Sequence, residues 1–288
     1  MDVKKKRNYA INVWLKRVLE KGVDGIRKEF HETPNTVTNS EAFADNPTRN
    51  RYNNVPCIDE TRVKIKDDSH YYIHANFVRS VERRRYICTQ GPLEGTVEEF
   101  WKMIVSTGSE YIIMLCELVE NGKEKCHQYF PATVGTSIKI GTAFIVTKIA
   151  SENLDKSLTM STLRVTKVGR NKATMTVRHV HWHCWPDHGI PQNFLSPLLL
   201  LNLFKQSQKP IVVHCSAEAM RYPDFPGVSH LLSKLRNERC KSVQTDLQYL
   251  YIHRVVVEYL VFKKFQYSKE RYSMFVNEYE AAEKTMKN

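Results

Sequence analysis

The stretch Pro210-Ile211-Val212-Val213-His214-Cys215 limits the possible folds of this chain more than any other. Its composition is that of a short buried strand, and helical patterns follow it at about 228–238, 245–264 and 269–284. Upstream, residues 1–32 read as a helix, with Val13, Leu15, Val18, Leu19 and Val23 near one face. Residues 33–60 are rich in Asn, Thr, Pro and Asp and read as loop. Tyr71, Ile73, Ala75 and Phe77 alternate with period two, and 86–88 and 111–115 are further strand candidates. Between those strands, Val97, Phe100, Trp101, Ile104 and Val105 form a helical stripe. Thr96 and Glu99 are spaced as a capping box at its start. Residues 139–149, 158–168 and 172–185 read as an antiparallel meander, and 194–205 as a helix. Strands and helices are interleaved, so the expected class is α/β with a mixed sheet.

The length of 288 residues allows one large domain or two small ones. No apolar run approaches the ~20 residues of a membrane span, and the basic start Lys4-Lys5-Lys6-Arg7 has no apolar stretch after it. An unprocessed cytosolic or nuclear protein is the default, and a cytoplasmic one is expected. The formal net charge of +12 suits acidic partners, although a solvated basic surface explains it as simply; its densest run is Arg83-Arg84-Arg85. Seven scattered cysteines, with no CxxC pair, speak against a disulfide framework or a zinc site. No metal or cofactor is expected.

One cysteine stands apart by context. Cys215 ends the apolar strand, Arg221 follows at Cys-x5-Arg spacing, and a helix comes next. Backbone N–H groups and the dipole at a helix N-terminus stabilise a thiolate and can cradle a phosphate. An arginine at that spacing can bind two phosphate oxygens at once. Together these groups could attack a phosphoester through a phosphocysteine. On its own the pattern is weak, and a buried strand cysteine with an unrelated arginine would fit it too.

Further segments give the pattern weight. From about residue 25 to 265 the chain resembles the protein-tyrosine-phosphatase family. The segments that carry the likeness are Arg49-Asn50-Arg51-Tyr52, Tyr72-Ile73-His74-Ala75-Asn76, Gln90-Gly91-Pro92, Phe100-Trp101-Lys102-Met103-Ile104 and Lys125-Cys126-His127-Gln128-Tyr129-Phe130-Pro131. Trp185-Pro186-Asp187-His188-Gly189-Ile190-Pro191, Pro210 to Ala217, and Gln244-Thr245-Asp246-Leu247-Gln248-Tyr249 complete it. The resemblance implies a highly twisted central mixed sheet flanked by helices. It divides the chain into a basic helical leader (1–24), a phosphatase-like domain (25–265) and a C-terminal helix (266–288). It makes Cys215 the nucleophile, Arg221 the phosphate clamp, Asp187 the general acid and Gln248 the residue that positions water. Tyr52 would flank the substrate ring, with Asn54 where the family usually has Asp. The loop Ser216, Ala217, Glu218, Ala219, Met220 and Arg221 would hold the phosphate. Glu120 would pair with Arg221, Lys125 would sit near the acid loop, and His214 and Trp185 would support the site. Simpler readings stay open: Asp187 as a turn residue, Gln248 as a capping partner of Thr245, and Glu120 as part of a hairpin turn.

The signature loop departs from the family's His-Cys-Ser-Ala-Gly-x-Gly-Arg-Ser/Thr-Gly. Here Glu218 and Met220 replace the two glycines, and Tyr222 and Pro223 replace the hydroxyl residue and the last glycine. A carboxylate about 6 Å from a phosphate, at an effective dielectric of about 20, adds about 3 kcal/mol of repulsion per unit of phosphate charge. The expectation is therefore a phosphatase-like protein with impaired or absent catalysis. It would bind or shield phosphotyrosine proteins, or compete with active phosphatases. The alternative is an active phosphatase, and a third class is a basic interaction module, for which no base-reading element is visible. A monomer is expected. The bare-domain architecture is similar to tyrosine-phosphatase-like proteins of bracoviruses, which implies a host-cell role in damping immune signalling.

Overall fold

The computed structural model describes residues 2–34, 39–65, 71–80, 85–169, 173–183, 185, 190–215 and 228–285. The elements run α1 (Val3–Glu32), α2 (Glu41–Ala44), β1 (Ala75–Arg79), β2 (Arg85–Gln90), α3 (Val97–Thr107), β3 (Tyr111–Met114), β4 (Val119–Glu120) and β5 (Lys123–Glu124). They continue with β6 (Ser137–Ile140), β7 (Phe144–Asn153), β8 (Leu158–Lys167), β9 (Thr174–Trp182), α4 (Ser196–Leu203), β10 (Ile211–Cys215), α5 (Val228–Glu238), α6 (Asp246–Phe262) and α7 (Lys269–Thr285).

Eight strands form one mixed sheet in the order β1-β2-β10-β3-β9-β8-β7-β6. The central four, β2, β10, β3 and β9, are parallel, and the outer pairs are antiparallel. The parallel strands therefore end along one edge. Alternation along each strand sends side chains to two faces. On one face Ile211, Val213, Ile113, Val180 and Trp182 meet α1, α4, α5, α6 and α7. On the other, Val212, Ile112, Met114 and Val177 meet Phe100, Trp101 and Ile104 of α3. This is the α/β class expected, with helices on both faces of a mixed sheet.

Several local expectations change. The alternating run from Tyr71 pairs as strand only from Ala75 onward, because Tyr71, Tyr72 and Ile73 are buried outside the ladder. The segment 33–60 contains α2 and a 3-10 turn, Pro47–Arg49. The region 139–149 divides into β6 and most of β7 around a turn in which Gly141 has φ +50°. Thr96 does not cap α3. Its hydroxyl accepts instead from the Leu93 N–H at 2.9 Å, closing the 3-10 turn that precedes the helix.

Helix α1 packs Leu15, Val18, Leu19, Val23 and Ile26 into the core. It breaks at Gly22 (φ +64°), where the Val23 N–H bonds the Glu278 carboxylate of α7 at 3.1 Å. Only glycine takes that backbone conformation without strain. Arg27 then meets Asp246 at 2.6 Å, tying α1 to the first turn of α6.

Candidate active site

Cys215 lies at the carboxyl end of β10, where the parallel strands converge. It pairs in register with Gln90, the last residue of β2, and the Leu115 N–H beyond β3 donates to His214 O at 2.8 Å. The carboxyl edge of parallel strands is where open α/β sheets hold ligands. Among the described cysteines Cys215 alone is half-exposed, whereas Cys57, Cys88, Cys116, Cys126 and Cys240 are buried. A nucleophile needs that access.

Gly91 shows how tightly the strand ends meet. A Cβ there would stand 2.7 Å from Lys125 O, 3.0 Å from Cys126 Cβ and 3.1 Å from Cys215 O. Only glycine lets these three segments touch.

Gln90 links the neighbourhood of Cys215 to the segment 49–52. Its Oε1 accepts from Arg51 N–H at 2.9 Å and its Nε2 donates to Arg49 O at 2.9 Å. The Arg51 guanidinium donates to Gly91 O, Pro92 O and Glu124 O at 3.1, 2.7 and 2.9 Å. Arg49 reaches Tyr72 O at 3.2 Å and Glu99 at 3.4 Å, and the Tyr72 hydroxyl donates to Asn50 at 2.6 Å. Tyr52 is half-buried and Asn54 exposed at the rim beside this anchored loop.

Beneath Cys215 the site is sealed. His214 Nε2 and His179 Nε2 both lie 2.7 Å from the Tyr129 hydroxyl. One hydroxyl proton allows Tyr129 to donate to one ring and accept from the other, so the two imidazoles hold different tautomers. Burial pushes His214 down to about 3, pushes His179 well below its usual range and pushes the Tyr129 phenol up. His214 is therefore neutral at physiological pH and offers Cys215 a dipole rather than a cation.

Gln248 occupies the first turn of α6. Its N–H donates to Thr245 Oγ1 at 3.2 Å, and its Oε1 accepts from Gln244 N–H at 2.9 Å. Thr245 thus caps the helix through the Gln248 N–H, but the return bond from the Gln248 side chain runs to Gln244 and not to Thr245. That bond fixes the amide oxygen and leaves the NH₂ as the end able to face a water. Glu120 sits in the β4–β5 hairpin, whose turn residues Asn121 and Gly122 have φ of 50° and 73°, and its carboxylate accepts from Glu117 N–H at 3.0 Å. Lys125 is half-buried, with its N–H on Leu118 O at 2.8 Å. Trp185 is buried edge-on against Trp182 at 4.9 Å. Asp187, Ser216, Ala217, Glu218, Ala219, Met220 and Arg221 lie outside the described residues, as do Tyr222 and Pro223.

Sequence reasoning assigned no role to Gln90, Arg51, Tyr129 or His179. The first three stand inside the quoted motifs, but only register and distance show what they hold. His179 has a faint signal: with His181 and His183 it repeats every second residue.

The protein-tyrosine phosphatase family model matches residues 46–221. The chain belongs to this family. It is 34% identical over 265 residues to the nematode *Caenorhabditis elegans* protein "Tyrosine-protein phosphatase Lar-like", an alignment covering 81% of this chain and 12% of that one. With the mouse (*Mus musculus*) "Tyrosine-protein phosphatase non-receptor type 2" it shares 33% over 258 residues, covering 81% and 62%. With the human "Phosphatidylinositol phosphatase PTPRQ" it shares 30% over 263 residues, covering 81% and 11%. The chain thus spans only about a tenth of the long relatives it matches. A solved structure described as the basis of the PTPN18 fingerprint on distinct HER2 tyrosine phosphorylation sites superposes with a TM-score of 0.77. It is 28% identical and covers 88% of this chain and 99% of that one. Among the described residues no helix is long and apolar enough to cross a membrane.

Proposed function

We propose that this domain hydrolyses phosphotyrosine in proteins through a phosphocysteine formed on Cys215. The observation that carries the reading is the placement of Cys215. It is the one half-exposed cysteine among those described, at the carboxyl end of β10, and Gln90 couples its neighbourhood to the loop bearing Tyr52. Family membership and the phosphatase names of the relatives support it.

In this reading the Cys215 thiolate attacks phosphorus while the bond from phosphorus to the tyrosine oxygen breaks. Arg221 binds two of the phosphoryl oxygens, and Asp187 gives a proton to the departing phenolate. Water, held by the Gln248 NH₂, then attacks the phosphocysteine and releases phosphate with the thiolate restored. Tyr52 flanks the ring and Asn54 meets the peptide backbone. Cytoplasmic phosphotyrosine proteins are the proposed substrates.

One observation favours a second reading, binding without turnover. Glu218, Met220, Tyr222 and Pro223 stand where the family's loop has glycines and a small hydroxyl. A carboxylate beside the phosphate site opposes the dianion, and non-glycine residues restrict close backbone approach. The domain would then shield phosphoproteins or compete with active phosphatases, and the bracoviral likeness would place this in host immune signalling.

Hydrolysis of an aryl phosphate and of a phosphotyrosine peptide, run beside Cys215→Ala under reducing conditions, separates the two. Turnover that vanishes in Cys215→Ala establishes the enzyme. Equal rates from both proteins, with saturable phosphopeptide binding, establish the binder. A phosphoinositide substrate in the same assay tests the chemistry named for PTPRQ.

A further inference from the structure

The histidine repeat of β9 continues past the sealed floor of the site. His181 and His183 follow His179 at two-residue spacing and share its face of the sheet. Opposite them, just beyond β3, stands Glu117. Its Oε2 lies 3.5 Å from His181 Nε2 and its Oε1 lies 3.6 Å from His183 Nδ1. One ligand atom from each residue falls within 4.8 Å of the others, and the imidazole centroids are 4.0 Å apart. All three residues are half-buried.

From this arrangement we infer that Glu117, His181 and His183 form a binding site for a borderline divalent cation, zinc above all.

The distances are the first reason. Separations of 3.5 and 3.6 Å are too long for hydrogen bonds, which run at about 2.7–3.2 Å. They end on different oxygens of the Glu117 carboxylate, and each by itself suits the spacing of two donors on one ion. Bonds of about 2.0–2.2 Å place neighbouring donors about 3.3–3.6 Å apart. Two imidazoles and one carboxylate are a zinc donor set, and water would take the fourth position.

The second reason is the hydrogen bonding around His183. Its Nε2 lies 3.1 Å from Thr159 Oγ1, and that hydroxyl spends its proton on Asn153 Oδ1 at 3.1 Å. Thr159 can therefore only accept, and His183 Nε2 carries the proton. In the neutral ring the Nδ1 lone pair then faces the Glu117 carboxylate. In that tautomer the Nδ1 lone pair is open to an ion, with a carboxylate oxygen 3.6 Å away to share it. An outer partner on the far nitrogen is also how metal-bound histidines are oriented.

His181 requires one adjustment. Its Nε2 donates to Cys116 O at 2.9 Å, so on metal binding the ring proton moves to Nδ1 and the bond to the carbonyl is exchanged for the bond to the ion. The scattered cysteines gave no hint of such a site, because its third ligand comes from another strand end. The inference does not depend on the phosphatase reading.

The test titrates zinc, and cobalt(II) as a spectroscopic probe, into the full chain without a polyhistidine tag. A Cys215→Ser background removes the half-exposed thiol. The expected result is one ion per chain, a strong tetrahedral cobalt band and a rise in Tm with zinc. His183→Gln should abolish all three while its circular dichroism stays that of the parent, and Glu117→Gln should weaken binding at least tenfold. No binding at submillimolar zinc overturns the proposal. So does an ion retained by His183→Gln but lost in Cys126→Ser, which would assign it to the Cys116 and Cys126 thiols.

Discussion

Strand β9 and the residue after it carry two kinds of histidine on one face. His179, with His214 on the same face two strands away, is fully enclosed, and both rings share the Tyr129 hydroxyl at 2.7 Å. His181 and His183, two and four residues further on, are half-buried and face Glu117 across gaps of 3.5 and 3.6 Å. The residue type and strand face are the same. The first pair has a matching polar partner inside the core, so it is neutral and tied through that one hydroxyl, while His214 Nδ1 is buried with no hydrogen-bond partner among the described residues. The second has a carboxylate at a distance no hydrogen bond spans, so its geometry suits an ion. Burial and partner spacing decide the role.

The largest effect that can break this contrast is acid. Burial depresses His74 and His214 to about 3 and His253 to about 4. The unfolded chain binds protons at these rings from about pH 6.5 downward, whereas the folded chain resists them. Stability is therefore full above about pH 6.5 and falls as pH drops toward 4, each ring contributing up to about 1.4 kcal/mol per pH unit. Urea unfolding between pH 7.5 and 4.5 checks this, and a flat profile would mean the rings are not sealed.

Next in size is Tyr129→Phe. It leaves two buried imidazole nitrogens without their shared partner, at a cost of about 2–4 kcal/mol. Thermal and urea unfolding of the purified variant read this directly. Stability equal to the parent would dissolve the distinction between the enclosed pair and the open one.

Arg51→Lys sharpens the contrast at the rim. Lysine cannot reproduce the guanidinium fork that joins Gly91, Pro92 and Glu124. Stability should fall by about 1 kcal/mol, and phosphotyrosine-peptide affinity should weaken several-fold as the Tyr52 loop loosens. Calorimetric titration with the peptide measures it.

The smallest effect belongs to the open pair. His183→Gln without metal should change stability by no more than about 0.5 kcal/mol. A loss comparable to Tyr129→Phe would show that His183 is a core residue after all.

Much of the fold was legible because its periodicities are local. The run at 211–215, the stripe of α3 and the long helix α6 all lie where composition and spacing place them. Cys215 was legible for the same reason, as a polar end to an apolar strand. The capping box at Thr96 misled because the same hydroxyl could close either of two adjacent turns. The burial of Tyr71 and Ile73 outside the ladder misled because alternation reports burial, not pairing.

The sequence by itself determined the α/β class and the family, and it singled out Cys215 among the cysteines, since these rest on residue types and short spacings. Only the tertiary structure decided the order β2-β10-β3-β9, which sets Gln90 beside Cys215 and brings Glu117 to His181 and His183. Those meetings join residues scores of positions apart. Strand order brings them together, and no local pattern in the chain encodes which strands will be neighbours.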